Sequence, residues 1–392
     1  MTSRPYQPGT HFLQIPGPSN VPERVLRAMA RPVIDHRGPE FPELTFDLLE
    51  NIKPVFNTEG PVFIYPTSGT GGWECALLNS LNPGDRVLAY ETGHFSTLWK
   101  EVADKLGLDV LWLRGDWRHG IDAAQIEEAL REDKGHTFKA VMAVHTETST
   151  GVTSRIDRVR AAMDAAGHPA LLLVDAVSSL ACTEYLHDEW RVDVTISGSQ
   201  KGLMLPPGLS FNAVSEKALN HAAGVKSHHS YWRWDAMLEF NKKGYFPYTP
   251  STNLLYALQE ALKLLHLEGL ENVFARHRRF AAATRAAVAA WGLENLCLNE
   301  DEFCNSTTAV LLPEGHDADA LRTLILDRFN MSLGTGLGKM KGKIFRIGHI
   351  GDFNELMLAG TLSGVEMGLR LSDIPHQSGG INAALQYLAD QP

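Results

Sequence analysis

Two kinds of apolar pattern alternate along the first half of the chain. Short runs, "PVFIYP" (61–66), "RVLAY" (86–90), "DVLWL" (109–113), "KAVMAVH" (139–145), "ALLLVDAV" (170–177) and "VDVTISG" (192–198), are separated by segments that repeat apolar residues every three or four positions. A run that is apolar at successive positions, not at alternate ones, has both faces buried. These runs therefore predict a mostly parallel sheet sandwiched by helices, an α/β fold. Before them, an irregular proline-rich arm containing "IPGPSNVP" leads into a stretch from Val21 to about Asn57 whose spacing predicts helix. Past Gly208 the alternation stops. The Tyr- and His-rich segment "SHHSYWRWDAMLEFNKKGYFPYTP" reads as a hinge, and helix is expected from about Ser251 to Trp291. The remainder holds strand candidates "TTAVLLP" and "KIFRIGHI" and helix candidates "DADALRTLILDRF" and "NELMLAGTLSGVEMGLRL", the pattern of a smaller α+β domain. The expected division is an arm over 1–22, a large domain over 23–270 and a small domain over 271–392.

In open sheets of this kind ligands bind at the carboxyl ends of the strands, and the polar clusters of this chain fall there. "PTSGTGGWECALLNSL" follows one strand and opens a helix, where backbone N–H groups and the helix dipole favour an anion such as phosphate. A dinucleotide turn and a tight turn that binds nothing are the competing readings; Glu91, roughly twenty residues on, suits the former. Asp175 ends an otherwise apolar strand. Such a carboxylate faces a cation or a protonated ligand nitrogen, or else caps a helix. Lys201, in "TISGSQKGLMLPPG", ends another strand; alone, a lysine is more often a solvated charge. Together, a phosphate cradle, an aspartate and a lysine on neighbouring strand ends are what pyridoxal 5′-phosphate needs as anchor, pyridinium partner and Schiff base. The dinucleotide reading leaves Asp175 and Lys201 without a role.

Composition narrows the partners. With 36 Lys and Arg against 46 Asp and Glu, the 392-residue chain carries a net charge of −10 and no basic block, so neither nucleic acid nor an anionic membrane is expected. Cys75, Cys182, Cys297 and Cys304 have neither C-x-x-C nor disulfide-framework spacing and read as reduced thiols, with no metal site. No signal pattern or membrane-length apolar run is present, which makes the cytoplasm the expected location.

The segments "PGPSNVP", "SGTGGWE", "HTETSTGV", "LLLVDAVSS", "GSQKGLMLPPG", "PYTPS", "GLENVFARH" and "FRIGHIG" occur in order along nearly the whole chain. In them the chain resembles the class V aminotransferases of the fold-type-I pyridoxal phosphate enzymes, and within these the serine–glyoxylate and alanine–glyoxylate aminotransferases. The resemblance implies that Lys201 forms the Schiff base and moves the Cα proton, and that Asp175 keeps the pyridine nitrogen protonated. It places Val177 under the ring and Phe95, in "ETGHFSTLW", over its other face. Ser68, Gly69 and Thr70 would hold the phosphate with Gln200, and Thr148 would sit by the ring substituents. Thr249, with Tyr248 or Tyr245 nearby, would reach the phosphate of a neighbouring subunit. That implies an obligatory homodimer with shared sites, its pairing into tetramers left open. Arg346 would take the substrate α-carboxylate as a bidentate pair.

The implied activity joins an amino acid and a 2-oxo acid: L-serine and glyoxylate giving 3-hydroxypyruvate and glycine, with alanine or aspartate as other donors. His36 and Arg37, in "DHRGP", are expected to reach the serine hydroxyl in the adjacent subunit. Relatives commonly carry aspartate where Arg233 stands. An Arg233 facing the pocket would favour aspartate as donor; one pointing to solvent leaves serine the better choice. Two further readings stay open at this point: a cysteine desulfurase using Cys304, and a non-catalytic relative serving as an interaction scaffold.

Overall fold

The computed structural model describes residues 8–226 and 230–391. Residues 1–7 of the arm, Pro392, and Ser227, His228 and His229 in the segment read as a hinge lie outside the described residues. All six predicted runs are strands of one seven-stranded sheet, ordered Val62–Tyr65, Ser210–Val214, Val194–Gly198, Leu171–Asp175, Phe138–Val144, Arg86–Tyr90, Asp109–Leu113. The last five pair in parallel. Their central members are buried at nearly every position, as strands covered on both faces must be.

The remaining strand, Ser210–Val214, is antiparallel to both neighbours and was not among the expected runs. Its sequence, SFNAV, hides it, because Ser210 and Asn212 interrupt the apolar run. Both are buried and bonded: Ser210 Oγ donates to Ser197 O at 2.9 Å, and Asn212 Nδ2 donates to Phe211 O at 3.0 Å. A satisfied polar group sits in a sheet at little cost, and periodicity cannot foresee that satisfaction.

The helical stretch expected from Val21 to Asn57 is two helices, Glu23–Met29 and Phe41–Phe56. Pro32, Gly38 and Pro39 lie in the connection between them, whose turn carries His36 and Arg37. Likewise Ser251–Trp291 divides into Thr252–Glu268 and Leu270–Ala290 at Gly269, whose φ of +84° is a turn conformation that L side chains rarely adopt.

A second sheet, ordered Phe12–Gln14, Met331–Thr335, Ile344–Gly348, Thr307–Leu311, Glu294–Asn295, packs with helices Ala318–Phe329, Glu355–Leu371 and Gly380–Asp390. Its edge strand comes from the arm, parallel to Met331–Thr335, so the expected irregular arm is part strand. Through it the residues after Gln14 cross from the second sheet to the carboxyl ends of the first. The apolar core around the large sheet runs from Val25 to Val273, and a separate one from Phe280 to Leu388.

Candidate active site

Lys201 leaves the strand Val194–Gly198 on a loop that closes upon itself. Ser199 N donates to Leu209 O at 2.9 Å, and its hydroxyl donates to Pro206 O at 2.8 Å while accepting from Leu209 N at 3.1 Å. The Pro-Pro-Gly turn is thus tied to the residue two before the lysine. From the other side, Ser19 of the arm donates its hydroxyl to Lys201 O at 2.9 Å, and Nζ donates to Pro16 O. Lys201 is 8 % exposed. Burial, and then the Arg346 charge, lower its pKa to about 8.

Asp175 ends the adjacent strand. Its Oδ1 accepts from Val177 N at 2.7 Å and its Oδ2 from the indole Nε1 of Trp73 at 3.1 Å. Burial, reinforced by the Glu147 carboxylate, nevertheless pushes its pKa up to about 7. Helix Gly69–Ser80 points its N-terminus at the same place, with Ser68 at the cap position and no side-chain cap bond. The helix seats closely on the sheet: a Cβ at Gly69 would lie 2.9 Å from Val177 Cγ2, and one at Gly72 2.2 Å from Ser210 Oγ.

These groups surround a cavity of about 200 Å³. Ser68, Gly69, Thr70, Gln200, Phe95, Thr148, Asp175, Val177 and Lys201 all line it. Trp73, Thr146, Ser178, Gly17 and Pro18 also line it and were not foreseen from the sequence. Trp73 has a legible signal, since it lies four residues after Gly69 and so on the same helix face. Gly17 lies in "PGPSNVP", a segment that carries the family resemblance but no predicted site role, and it arrives by way of the arm strand.

Arg346 does not line the cavity but donates from Nη1 to the carbonyl of Thr148, which does, at 2.8 Å. Its Nε donates to Thr335 O at 2.8 Å. The guanidinium is 6 % exposed, and among the described residues no carboxylate pairs with it. Burial lowers its pKa to about 10. A buried cation with donors to spare suits a small carboxylate ligand.

The family model for class V aminotransferases matches residues 11–339. The chain belongs to this family. It is 50 % identical to a serine–glyoxylate aminotransferase of Methylorubrum extorquens, over 98 % of each chain. To an L-aspartate–glyoxylate aminotransferase of Paracoccus denitrificans it is 43 % identical over 95 % of each. A crystal structure of pyridoxamine–pyruvate aminotransferase from Mesorhizobium loti superposes with a TM-score of 0.92 over the full length of both chains, at 27 % identity. The cofactor of this class V aminotransferase is pyridoxal 5′-phosphate.

The cavity fits that group. Asp175 is a buried carboxylate held by two neutral donors, an arrangement that a protonated ring nitrogen completes. Gln200 Oε1 is buried without a hydrogen-bond partner beside the helix N-terminus; turned over, the carboxamide presents its N–H to a phosphate. Glu91, the acidic residue a dinucleotide would need, accepts instead from Trp117 Nε1 at 2.9 Å and Arg114 Nη1 at 3.2 Å and pairs with Lys339.

The structure does not bring every predicted residue to this cavity. Thr249, His36 and Arg37 lie apart from it; His36 Nε2 stands 3.4 Å from Thr249 Oγ1 at the protein surface. Tyr248 stacks on Tyr231 with ring centroids 4.2 Å apart. Arg233 is exposed and forked onto Asp235, with Nε 2.8 Å from Oδ1. Cys304 is 1 % exposed and lies outside the Lys201 cavity, and burial raises its pKa. A buried neutral thiol lacks the mobility and activation a desulfurase nucleophile requires.

Proposed function

We propose that this aminotransferase transfers the amino group of L-serine to glyoxylate, giving 3-hydroxypyruvate and glycine in two half-reactions. One observation carries the choice of donor: Arg233, the cation that could select a second substrate carboxylate, is turned to solvent and neutralised by Asp235. The serine–glyoxylate relative at 50 % identity supports it, and alanine is a further donor on the same grounds. The L-aspartate–glyoxylate relative at 43 % favours the alternative. Initial rates with glyoxylate and serine, alanine or aspartate separate them; aspartate far ahead of serine rejects the proposal.

When bound, the cofactor supplies an electron sink for the carbanion formed at the donor Cα. The chain does the rest. Lys201, its pKa near 8, holds a usable fraction of neutral amine near neutral pH and moves the proton at Cα as general base. Asp175 would hold the ring nitrogen in its protonated form, Val177 and Phe95 would pack against the ring, and Thr148 would serve its substituents. Ser68, Gly69, Thr70 and Gln200 would hold the phosphate, and Arg346 would orient the donor through its α-carboxylate.

Thr249, His36 and Arg37, gathered at the surface away from their own chain's cavity, support a homodimer in which they serve the neighbouring site. The two apolar cores support a division near residue 270, and the described part of the arm pairs with the second sheet through Phe12–Gln14 and reaches Lys201 through Ser19. No described helix is long and apolar enough to cross a membrane.

A further inference from the structure

The roles above leave unassigned the buried side-chain donor that holds Asp175. Trp73 is 3 % exposed, lines the cavity, and donates its indole Nε1–H to Asp175 Oδ2 at 3.1 Å. Val177 N holds the other oxygen at 2.7 Å. The two donors come from different elements, helix Gly69–Ser80 and the turn after the strand, so together they fix the plane of the carboxylate. Among the described residues no other side chain donates to it.

We propose that Trp73 is the positioning residue for Asp175, and that it acts through its indole N–H and not through its bulk. This rests on the reading of Asp175 as partner of the cofactor ring nitrogen. Two observations argue for the N–H. The ring is already anchored: it stacks on Trp99 at 6.0 Å between centroids and 19° between planes, so its N–H is pre-set in direction. The buried Glu147 carboxylate opposes ionisation of Asp175, whereas a donor to Oδ2 favours the charged form, more strongly in a buried site than in water. Trp73 thereby offsets a neighbour that the site cannot move, since Glu147 is bound to Phe95 N at 3.2 Å and Ser96 N at 3.0 Å at the start of the helix carrying Phe95. Trp99 supplies an internal control. Its own Nε1 has no hydrogen-bond partner, so Trp99→Phe disturbs the same stack without removing a bond.

The test compares Trp73→Phe, Trp99→Phe and Asp175→Asn with the wild type. The dissociation constant of pyridoxal 5′-phosphate is measured from pH 6 to 9 on each full chain, together with the thermal midpoint. Trp73→Phe is expected to weaken binding about tenfold and to move its pH profile upward by about one unit, because Asp175 then ionises later. Trp99→Phe is expected to lower the thermal midpoint and leave the profile in place. A Trp73→Phe profile that coincides with the wild type, or one that Trp99→Phe reproduces, overturns the proposal. If Trp73→Phe does not fold, 3-benzothienylalanine at position 73 keeps the shape without the N–H and reads the same profile. Asp175→Asn separates the two layers. Unchanged cofactor affinity and turnover in that variant would remove the reading of Asp175 itself, whereas their loss beside an unshifted Trp73→Phe profile removes only the role of Trp73.

Discussion

Gly17 lies against Lys201: a Cβ at residue 17 would stand 2.6 Å from the lysine Cδ, Cε and Nζ alike. The arm therefore forms one wall of the space in which the lysine side chain moves. This contact joins the strand Phe12–Gln14, seated on the second sheet, to a residue at the end of a strand of the first.

Gly17→Ala is expected to lower kcat by at least about tenfold and also to cost about 1–3 kcal/mol in stability, because φ is +115°. Gly84→Ala separates the two effects. Gly84 has φ +89° and nothing within 4 Å of an added Cβ, so it carries the strain without the crowding. Borohydride reduction followed by mass analysis of the Lys201 peptide reads the first effect directly. Equal labelling in both variants would show that Gly17 does not confine the lysine.

Arg346→Lys is expected to reduce kcat/KM by about 10- to 100-fold, since a lysine keeps the charge but cannot keep the bonds to Thr335 O and Thr148 O and still offer a fork. Every amino donor carries the α-carboxylate, so serine and alanine should lose the same factor. A loss confined to one donor would place Arg346 at the side chain instead.

The reach of the sequence follows from how local each signal is. The six apolar runs and the residues at their ends, Asp175 and Lys201, are legible because burial on both faces writes itself into consecutive positions. Ser210–Val214 is not legible, because its polar residues are satisfied by partners that only the folded sheet supplies. Met331–Thr335 and Gly380–Asp390 likewise went unforeseen; the strand's inner face carries Met331 and Leu333 beside polar Ser332 and Thr335, and the helix opens on a glycine. Of the cavity, Trp73 lies within a motif recognised for its glycines, whereas Gly17 and Pro18 are brought by a strand pairing more than 300 positions away in sequence.

The join between the two sheets also passes through Glu91. Its carboxylate, 3 % exposed, accepts from Trp117 Nε1 and Arg114 and pairs with Lys339, whose side chain is 60 % exposed and lies 5.0 Å from the Trp117 ring centroid. Lys339→Ala should cost under about 1 kcal/mol, because the pair is screened on one side and Glu91 keeps its other donors. Glu91→Ala should cost about 1–3 kcal/mol, since it strands the buried indole N–H of Trp117. Chemical denaturation of both variants checks the order; a larger loss for Lys339→Ala would reverse the assignment.

Acid should destabilise the protein well above the usual carboxylate range. Burial depresses the pKa of His145 and His187 to about 4 and of His277 and His349 to about 3, against about 6.5 in an unfolded chain. Each is therefore neutral when folded and takes up a proton on unfolding once the pH is below about 6.5. Stability is fully present above that value, falls as the pH drops through it, and stops falling on this account below about 3. His277 shows the structural stake: its Nε2 accepts from Gly351 N at 3.0 Å while Nδ1 bonds to Val273 O at 2.8 Å, so the folded site has no room for a second ring proton. Asp175 works against this trend. Its folded pKa near 7 lies above the unfolded value of about 3.8, so without cofactor it gives up a proton on unfolding between those limits. The histidines outnumber it, and the net slope keeps their sign. The thermal midpoint of the apoprotein is expected to fall steadily from pH 7 to pH 5, and Asp175→Asn should make that fall steeper. A midpoint that is flat across this interval in both proteins would contradict the neutral, buried state of the histidines.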